Sequence, residues 1–342
     1  MKFAMYGSGA AGSVFASYLR NGGADIILID RYEAHMKKVA EEGMLFTIHQ
    51  EENGTYHDYE KVLHGFRTYT SAEAAAEAEG KVDCIIYMTK ATQLPQAIQD
   101  SMPVVGENTV ACSLINGLGN DDNLFKVFPK ERCVIGSGVL GTRLPEPGHC
   151  ISTPAGGVQM NFGGAVRSEA TDAVCAEMLK CYREGGCDAY WRDGLPGEDN
   201  NIYKFIWKKV CVNATVNTVC AVLRLKIGQV EANPFGQWLF HGVIRETCAV
   251  ATAKGVPMDA DEFIAHDHMD IVTNIGDYYP SMCQDAFNHR QTEIDVLNGK
   301  IAEYGEELGI PTPCCTVLSQ IVRCIQNNYE NQYLGDYLFY NK

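Results

Sequence analysis

An apolar segment at the start of the chain leads directly into a glycine-rich turn. Residues 1–6 are followed by Gly7, Ser8, Gly9, Ala10, Ala11 and Gly12, which have the spacing G-x-G-x-x-G, and residues 13–20 then have a helical composition. In such a turn the first glycine permits the tight reversal, the second lets the backbone approach a pyrophosphate, and the third lets helix and strand pack closely. Free N–H groups at the start of the helix favour phosphates. We therefore expect these six residues to bind a dinucleotide.

The next apolar run, residues 26–29, ends at Asp30, which Arg31 follows. An acid at this position hydrogen-bonds the adenosine ribose and repels a 2′-phosphate, whereas an arginine accommodates that phosphate. The pair leaves both NADP(H) and NAD(H) open, and Asp30 favours NADH.

The first half of the chain alternates between the two kinds of element. Helices are predicted at residues 33–42 and 72–78, and strands at 44–49, 65–69, 82–88, 109–115, 134–140 and 157–162. Such alternation predicts an α/β Rossmann-type domain with a mostly parallel sheet, and its ligands bind at the carboxyl ends of the strands. Lys90 and Asn116 each follow one of these strands closely. We expect both to face the cofactor, although a solvated loop lysine and a turn-forming asparagine are the simpler alternatives.

From residue 198 onward, strand patterns nearly vanish. Helices are predicted at 200–225, 234–254, 260–275, 283–308 and 316–328, which makes an all-α second domain. The predicted domains are residues 1–195 and 196–342. No role is predicted for the polar stretch 51–80. For the aromatic, polar tail 329–342, only docking or interface contacts are considered.

Lys209, Asn213 and Asn217 recur every four residues within the first of these helices. Residues at this spacing share roughly one helical face. One ammonium and two carboxamides there suit an oxygen-rich small molecule, and a solvated helix face is the alternative.

The charge and cysteine content limit the partners and the compartment. A net charge of −15 argues against nucleic acid and anionic membranes. No run approaches the roughly 20 apolar residues of a membrane span, and no signal peptide is recognised. The 14 cysteines include no C-x-x-C pair, so we expect neither a metal site nor disulfides among them, and many free thiols favour a reducing, cytoplasmic location.

Together these segments resemble ketopantoate reductase (2-dehydropantoate 2-reductase) over nearly the whole chain. The resemblance rests on the glycine turn, on the segments 89–93 and 116–119, on residues 207–217, and on the segment 281–299 with its serine-to-glutamate interval. It implies a Rossmann-type domain followed by a helical domain like the C-terminal domain of 6-phosphogluconate dehydrogenase, with the active site in a cleft between the domains and a homodimer possible.

The resemblance also assigns roles to individual residues. Lys209 matches the catalytic lysine, which with an ordinary pKa of about 10.4 is protonated at neutral pH and donates to the carbonyl oxygen of a 2-keto acid. Glu293 matches the acid that keeps this lysine charged. Asn213, Asn217 and Ser281 match substrate-binding residues, and Lys90 and Asn116 match positions near the nicotinamide and the substrate. Asp285 and Asp295 are expected to have supporting roles.

Several alternatives stay open at this stage. The family commonly uses NADPH and often has a basic residue without an acid at the end of the second strand, so Asp30 is a departure. The enzyme could act on another 2-keto acid or on a phosphorylated polyol, for which Arg224 is the nearest arginine. A non-catalytic nicotinamide-binding sensor is the remaining alternative.

Overall fold

The computed structural model describes residues 1–52, 54–154, 159–195 and 197–332. The chain divides into two compact units, an N-terminal unit, Met1–Phe205, and a C-terminal unit, Ile206–Lys342. The predicted boundary at residues 195 and 196 lies slightly earlier, and residue 196 is outside the described residues.

An eight-stranded sheet forms the framework of the N-terminal unit. In spatial order its strands are β12 (Ala189–Trp191), β11 (Met160–Gly164), β8 (Cys133–Gly138), β7 (Val105–Ser113), β6 (Val82–Tyr87), β1 (Lys2–Tyr6), β2 (Asp25–Ile29) and β5 (Arg67–Tyr69). From β5 through β8 all pairs are parallel, while β11 is antiparallel to β8. This is the strand order of a dinucleotide-binding domain, and its chain reversal lies beside β1.

Helices cover this sheet, which is why its central strands are apolar on both faces. Phe3, Ala4 and Met5 of β1 are all fully buried. The helices of the unit are Ala10–Asn21, Glu33–Glu42, Ala72–Glu79, Leu94–Asp100, Asn120–Phe125 and Glu169–Glu184, together with Ile202–Val212, within which the division of the chain falls.

A second sheet of four strands was not predicted in full. Its order is β4 (Thr55–Leu63), β3 (Met44–Glu52), β10 (His149–Pro154) and β9 (Leu140–Glu146). All of β4 except Leu63 is exposed, so its sequence lacks the apolar alternation that marks a strand. The polar stretch 51–80 thus forms the end of β3, then β4, β5 and the helix Ala72–Glu79. The strand predicted at 157–162 begins partly outside the described residues.

The C-terminal unit is helical, as predicted. Its further α-helices are Thr218–Leu223, Ile227–Glu231, Pro234–Ala253, Ala260–Phe263, Met269–Ile275, Ser281–Phe287, Asn298–Leu308 and Pro313–Gln326. Two π turns, Asn213–Asn217 and Ile264–His268, interrupt otherwise continuous helices. Among the described residues, no helix has both the length and the hydropathy needed to span a membrane. Of the tail, only residues 329–332 are described.

The prediction of one helix over residues 283–308 is wrong. The helix that begins at Ser281 ends at Phe287, and His289 has a left-handed backbone with φ of 54°. The backbone N–H of Thr292 then donates to the side chain of Gln326, 3.1 Å away, instead of to a helical carbonyl. Glu293 therefore lies in a loop before a short 3₁₀ turn, Ile294–Val296.

Candidate active site

The glycine turn has the geometry that its three glycines require. Gly7 has φ of +96°, and a Cβ on it would lie 2.9 Å from both the Met88 carbonyl carbon and the Thr89 nitrogen. A Cβ on Gly12 would collide with the carbonyl oxygen of Gly7. A Cβ on Gly9, by contrast, would meet no described protein atom within 4 Å. The protein therefore packs tightly against Gly7 and Gly12 and leaves space beside Gly9. A pyrophosphate needs close approach to the backbone at that position.

Asp30 holds the glycine turn to the end of β2. One of its carboxylate oxygens accepts the backbone N–H of Ser8 at 2.6 Å, and the other accepts the backbone N–H of Tyr32 at 2.8 Å. Arg31 between them is exposed. The hydroxyl of Ser8 is buried and lacks a hydrogen-bond partner among the described residues, so a polar atom at the turn is left for a ligand to satisfy.

A chain of buried hydrogen bonds connects Ser8 of the glycine turn to Ser13, His35 and Gly148. Gly148 donates its N–H to Nδ1 of His35 at 2.9 Å, so the ring proton is on Nε2 and is donated to Ser13 Oγ at 3.0 Å. The Ser13 hydroxyl donates to the Ser8 carbonyl at 2.8 Å. Burial lowers the pKa of His35, and the negative charge of Asp30 acts in the opposite direction. The neutral imidazole is the form that this arrangement needs.

These residues fit a nicotinamide dinucleotide. The helix Ala10–Asn21 has no acidic residue in its first turn and no side-chain cap, so its N-terminal N–H groups remain suited to phosphate. Gly7, Ser8, Gly9, Ala10, Ala11 and Gly12 would hold the pyrophosphate. Asp30 and Arg31 would lie at the adenosine ribose.

Lys90 and Asn116, both predicted to face the cofactor, follow the carboxyl ends of β6 and β7. The close packing of Gly7 on Met88 and Thr89 places Lys90, which is exposed, on the segment beside the glycine turn. Asn116 follows β7, and its side-chain oxygen accepts a hydrogen bond from the Ser137 hydroxyl at 2.8 Å. That bond directs the Asn116 amide nitrogen away from Ser137.

The C-terminal unit carries the predicted polar stripe on a π turn. A π turn holds one more residue than an α-helical turn and frequently marks a functional site. Asn213 begins this turn and Asn217 ends it. Asn298, which is fully buried, supports it by donating to the carbonyl oxygen of Ala214 at 3.0 Å and accepting from the Thr218 hydroxyl at 2.6 Å. No role was predicted for Asn298 from the sequence.

Lys209 lies one turn before Asn213 and is electrostatically unusual. The residue keeps some exposed surface, yet loss of hydration lowers the pKa of its ammonium to about 8, against which the charge of Glu293 acts to raise it. The structure thus brings the predicted pair together, and the ordinary pKa expected for Lys209 is wrong. Burial is the physical reason, since a low-dielectric surrounding disfavours the charged form.

Ser281 joins the same cluster through Asn217. The Asn217 amide donates to the Ser281 hydroxyl at 3.1 Å. Asn217 is 6% exposed, whereas Ser281 at the start of its helix is exposed. Asn213 is half-buried on the same π turn. The π turn that follows Lys209 thus carries both predicted carboxamides, and one of them is hydrogen-bonded to the Ser281 hydroxyl.

Other charged residues of the C-terminal unit form structural pairs. Asp295 binds Arg323 with an Nε to Oδ1 distance of 2.7 Å. Lys208 binds Asp267 of the second π turn at 3.0 Å. Arg224, considered for a phosphate substrate, donates to the Gln332 side chain at 3.0 Å.

The fold and these two sets of residues define a nicotinamide-dependent oxidoreductase with an α/β nucleotide-binding unit and a helical unit. The family description "Ketopantoate reductase PanE/ApbA" matches residues 3–165, and that of its C-terminal part matches residues 201–326. The chain belongs to the ketopantoate reductase family.

Individual relatives agree with this assignment. The chain is 33% identical to the 2-dehydropantoate 2-reductase of Streptococcus pyogenes over 92% of its own length and 95% of that protein. It is 31% identical to the Lactococcus lactis enzyme of that name, over 94% and 97% of the two chains.

Solved structures of similar proteins cover the chain equally well. A D-mandelate dehydrogenase determined with NADH and anilino(oxo)acetate has a TM-score of 0.76 at 29% identity, covering 96% of this chain and 99% of that one. An Enterococcus faecalis protein described as a 2-dehydropantoate 2-reductase has a TM-score of 0.73 at 30% identity, covering 96% and 98%.

Proposed function

We propose that the protein reduces 2-dehydropantoate to pantoate, with Lys209 as the general acid. The observation that carries this proposal is a lysine whose desolvated ammonium has a pKa of about 8, with the charge of Glu293 acting on it. Asn213, Asn217 and Ser281 add neutral hydrogen-bonding groups on neighbouring turns. The relatives from Streptococcus pyogenes and Lactococcus lactis are both named 2-dehydropantoate 2-reductase, which supports the same substrate.

A nicotinamide cofactor, when bound, would supply a hydride to the carbonyl carbon of the keto acid. As the C=O bond becomes a C–O single bond, its oxygen gains negative charge and takes a proton from Lys209 Nζ. A pKa of about 8 leaves roughly nine in ten of these lysines protonated at pH 7. It also makes the ammonium a stronger acid than an exposed lysine, which favours proton transfer near neutral pH.

The polar neighbours would bind and orient the substrate. The amides of Asn213 and Asn217 and the hydroxyl of Ser281 can donate to the carboxylate and to the substrate hydroxyl. Glu293 would hold the ammonium in its charged form. Lys90 and Asn116, on the N-terminal unit, would lie at the nicotinamide end of the cofactor.

We propose NADH as the preferred cofactor. Both oxygens of Asp30 already accept backbone N–H groups, at 2.6 and 2.8 Å, so the carboxylate is fixed at the end of β2. A fixed negative charge there accepts ribose hydroxyls and repels a 2′-phosphate. The NADH complex of D-mandelate dehydrogenase supports this preference.

A second candidate substrate is an aryl 2-keto acid. The similarity to D-mandelate dehydrogenase specifically favours it, because the keto acid that corresponds to mandelate is phenylglyoxylate. The acid chemistry at Lys209 would be the same for both substrates.

Initial rates with 2-dehydropantoate and with phenylglyoxylate, each with NADH and with NADPH, test the proposal. Lys209→Ala should lower kcat/KM for the preferred substrate by about 10² to 10⁴, as expected for loss of a general acid. Lys204→Ala is a matched control on the same helix, since Lys204 pairs with the largely exposed Asp199. Faster turnover of phenylglyoxylate would reject 2-dehydropantoate as the substrate. Cofactor binding without turnover of any 2-keto acid would favour the sensor alternative.

A further inference from the structure

Two histidines and a glutamate meet in the C-terminal unit, apart from the residues placed in the candidate active site. Glu231 ends the helix Ile227–Glu231, His241 lies in the helix Pro234–Ala253, and His268 ends the second π turn. One nitrogen or oxygen from each residue lies within 4.8 Å of the other two. In the described part of the chain this is the one such group of three, and its members are too far apart in sequence to form a recognisable motif.

The three side chains are already ordered toward one another. His268 Nε2 and Glu231 Oε2 are 2.9 Å apart, and the other carboxylate oxygen accepts a hydrogen bond from Gln237 at 3.0 Å. His268 is 1% exposed and Glu231 is 8% exposed. Phe240 packs edge-on against the His268 ring with centroids 5.1 Å apart. Carboxylates that ligate metals are themselves typically held by hydrogen bonds from neighbouring groups, as Gln237 holds Glu231.

His241 is the accessible member of the group. It is half-buried, and its ring centroid lies 6.2 Å from that of His268. Burial lowers its pKa; the charge of Glu231 opposes this, while His268 and Arg245 lower the pKa further.

We propose that Glu231, His241 and His268 bind a divalent transition-metal ion such as Zn²⁺. Two imidazole nitrogens and one carboxylate oxygen form a ligand set that this class of ion takes in proteins. Metal–ligand bonds of about 2.0–2.2 Å hold tetrahedral ligands roughly 3.3 Å apart. The 2.9 Å pair of His268 and Glu231 would therefore open by a few tenths of an ångström. His241 would move inward, and water would take the fourth position.

The position of the group suggests a structural role. An ion there would join three helical segments of the C-terminal unit. Asp267, the neighbour of His268 on the π turn, binds Lys208 at 3.0 Å. A metal bound to His268 would therefore stabilise the second π turn, whose Asp267 pairs with Lys208. Lys208 is the residue before Lys209. We expect the bound ion to raise the melting temperature, because it binds the folded chain only.

The test is a Co²⁺ titration of the EDTA-treated protein, followed by visible absorption. We expect saturable binding of one ion, with the weak d–d bands of nitrogen and oxygen ligation. His241→Gln should weaken binding by at least about tenfold, the least that loss of even an outer-shell partner costs. Gln237→Leu should weaken it by about 10–100-fold while leaving all three ligands in place. Thermal melts without metal establish that each variant folds, and the measurement does not depend on turnover.

Controls distinguish this site from other ligands in the chain. His57→Gln replaces an exposed histidine of β4 in the other unit and should leave Co²⁺ binding unchanged. An intense near-ultraviolet charge-transfer band would assign the ion to cysteines, of which Cys324 is exposed, and would overturn the proposal. Equal affinity of the wild type and His241→Gln would also overturn it, as would the absence of saturable binding. In those cases the group is a buried histidine–carboxylate hydrogen bond only.

Discussion

The side-chain amide of Asn217 donates a hydrogen bond to the hydroxyl of Ser281, 3.1 Å away, and so connects a π turn to the start of a helix 64 residues later in the chain. One partner is buried and the other is exposed. The bond therefore fixes an exposed hydroxyl from within the protein. A substrate carboxylate would meet a hydroxyl whose orientation is already set, which reduces the entropy lost on binding.

Replacing Asn217 by alanine should raise KM for the keto acid. A hydrogen bond to a charged group contributes about 1.5–3 kcal/mol, which corresponds to roughly 10–100-fold in kcat/KM. Ser281→Ala should have a smaller effect, because water can reach that exposed position. Steady-state kinetics on both variants measure this, with circular dichroism as the folding control. An unchanged KM in Asn217→Ala would remove this residue from the substrate site.

The rate of keto-acid reduction should decline at alkaline pH. Because the pKa of Lys209 is lowered to about 8, the proposed acid loses its proton above that pH. We expect kcat/KM to be level below the pKa and to fall about tenfold per pH unit well above it. A pH profile of kcat/KM at saturating cofactor measures this. A profile that stays level to pH 10 would exclude Lys209 as the proton donor.

Replacing Glu293 by glutamine should move this alkaline decline to lower pH. The negative charge of Glu293 raises the pKa of Lys209, so its removal lowers that pKa further. Asp295→Asn is a matched control two residues away, since Asp295 pairs with Arg323. It should leave the pH profile in place. A shift in both variants would point to a general loss of negative charge rather than to a specific pair.

Replacing Arg31 by alanine should distinguish the two cofactors. Arg31 is exposed beside Asp30, and we propose that it would pair with a 2′-phosphate. We expect the variant to lose roughly 10–100-fold in kcat/KM with NADPH, the range for a hydrogen bond to a charged group. Rates with NADH should change little. Equal losses with both cofactors would contradict the assignment of Arg31 to the phosphate.

The folded protein should lose stability in mild acid through His35. Burial places the folded-state pKa of His35 below its unfolded value of about 6.5. The unfolded chain therefore binds the proton first, and this contribution to stability is complete above pH 6.5. It declines as pH falls toward the folded-state pKa, by at most about 1.4 kcal/mol per pH unit. Urea denaturation of wild type and His35→Gln at several pH values isolates this contribution. A difference that does not depend on pH would contradict it.

The arrangement of the nucleotide-binding unit could be predicted because its local patterns are strong. The spacing of Gly7, Gly9 and Gly12 between a strand and a helix has few structural alternatives, and buried parallel strands such as β1 have unbroken apolar sequences. The strand β4 was missed because its exposed side chains carry no such pattern. The break after Phe287 was missed because His289 in a left-handed conformation leaves no mark in the sequence.

The residues of the candidate site were proposed from the sequence, whereas its energetics could not be. The four-residue spacing pointed to Lys209, Asn213 and Asn217, whereas Glu293 came only from the family resemblance. The role of Asn298 depends on the Ala214 carbonyl, which it binds within the π turn, and no sequence pattern predicts that turn. The pKa of Lys209 depends on how completely neighbouring atoms exclude water, and this is a property of the packed structure.

The π turn at Asn213–Asn217 has a consequence for how this helix can vary. An α-helix advances about 100° per residue, whereas the wider π turn at Asn213–Asn217 accommodates one extra residue within a single turn. The helix beyond the turn therefore keeps nearly the direction that it would have without that residue. In a relative with a regular helix here, both halves of the segment should superimpose on this chain at once. Residue equivalence beyond the turn must then be assigned one position away.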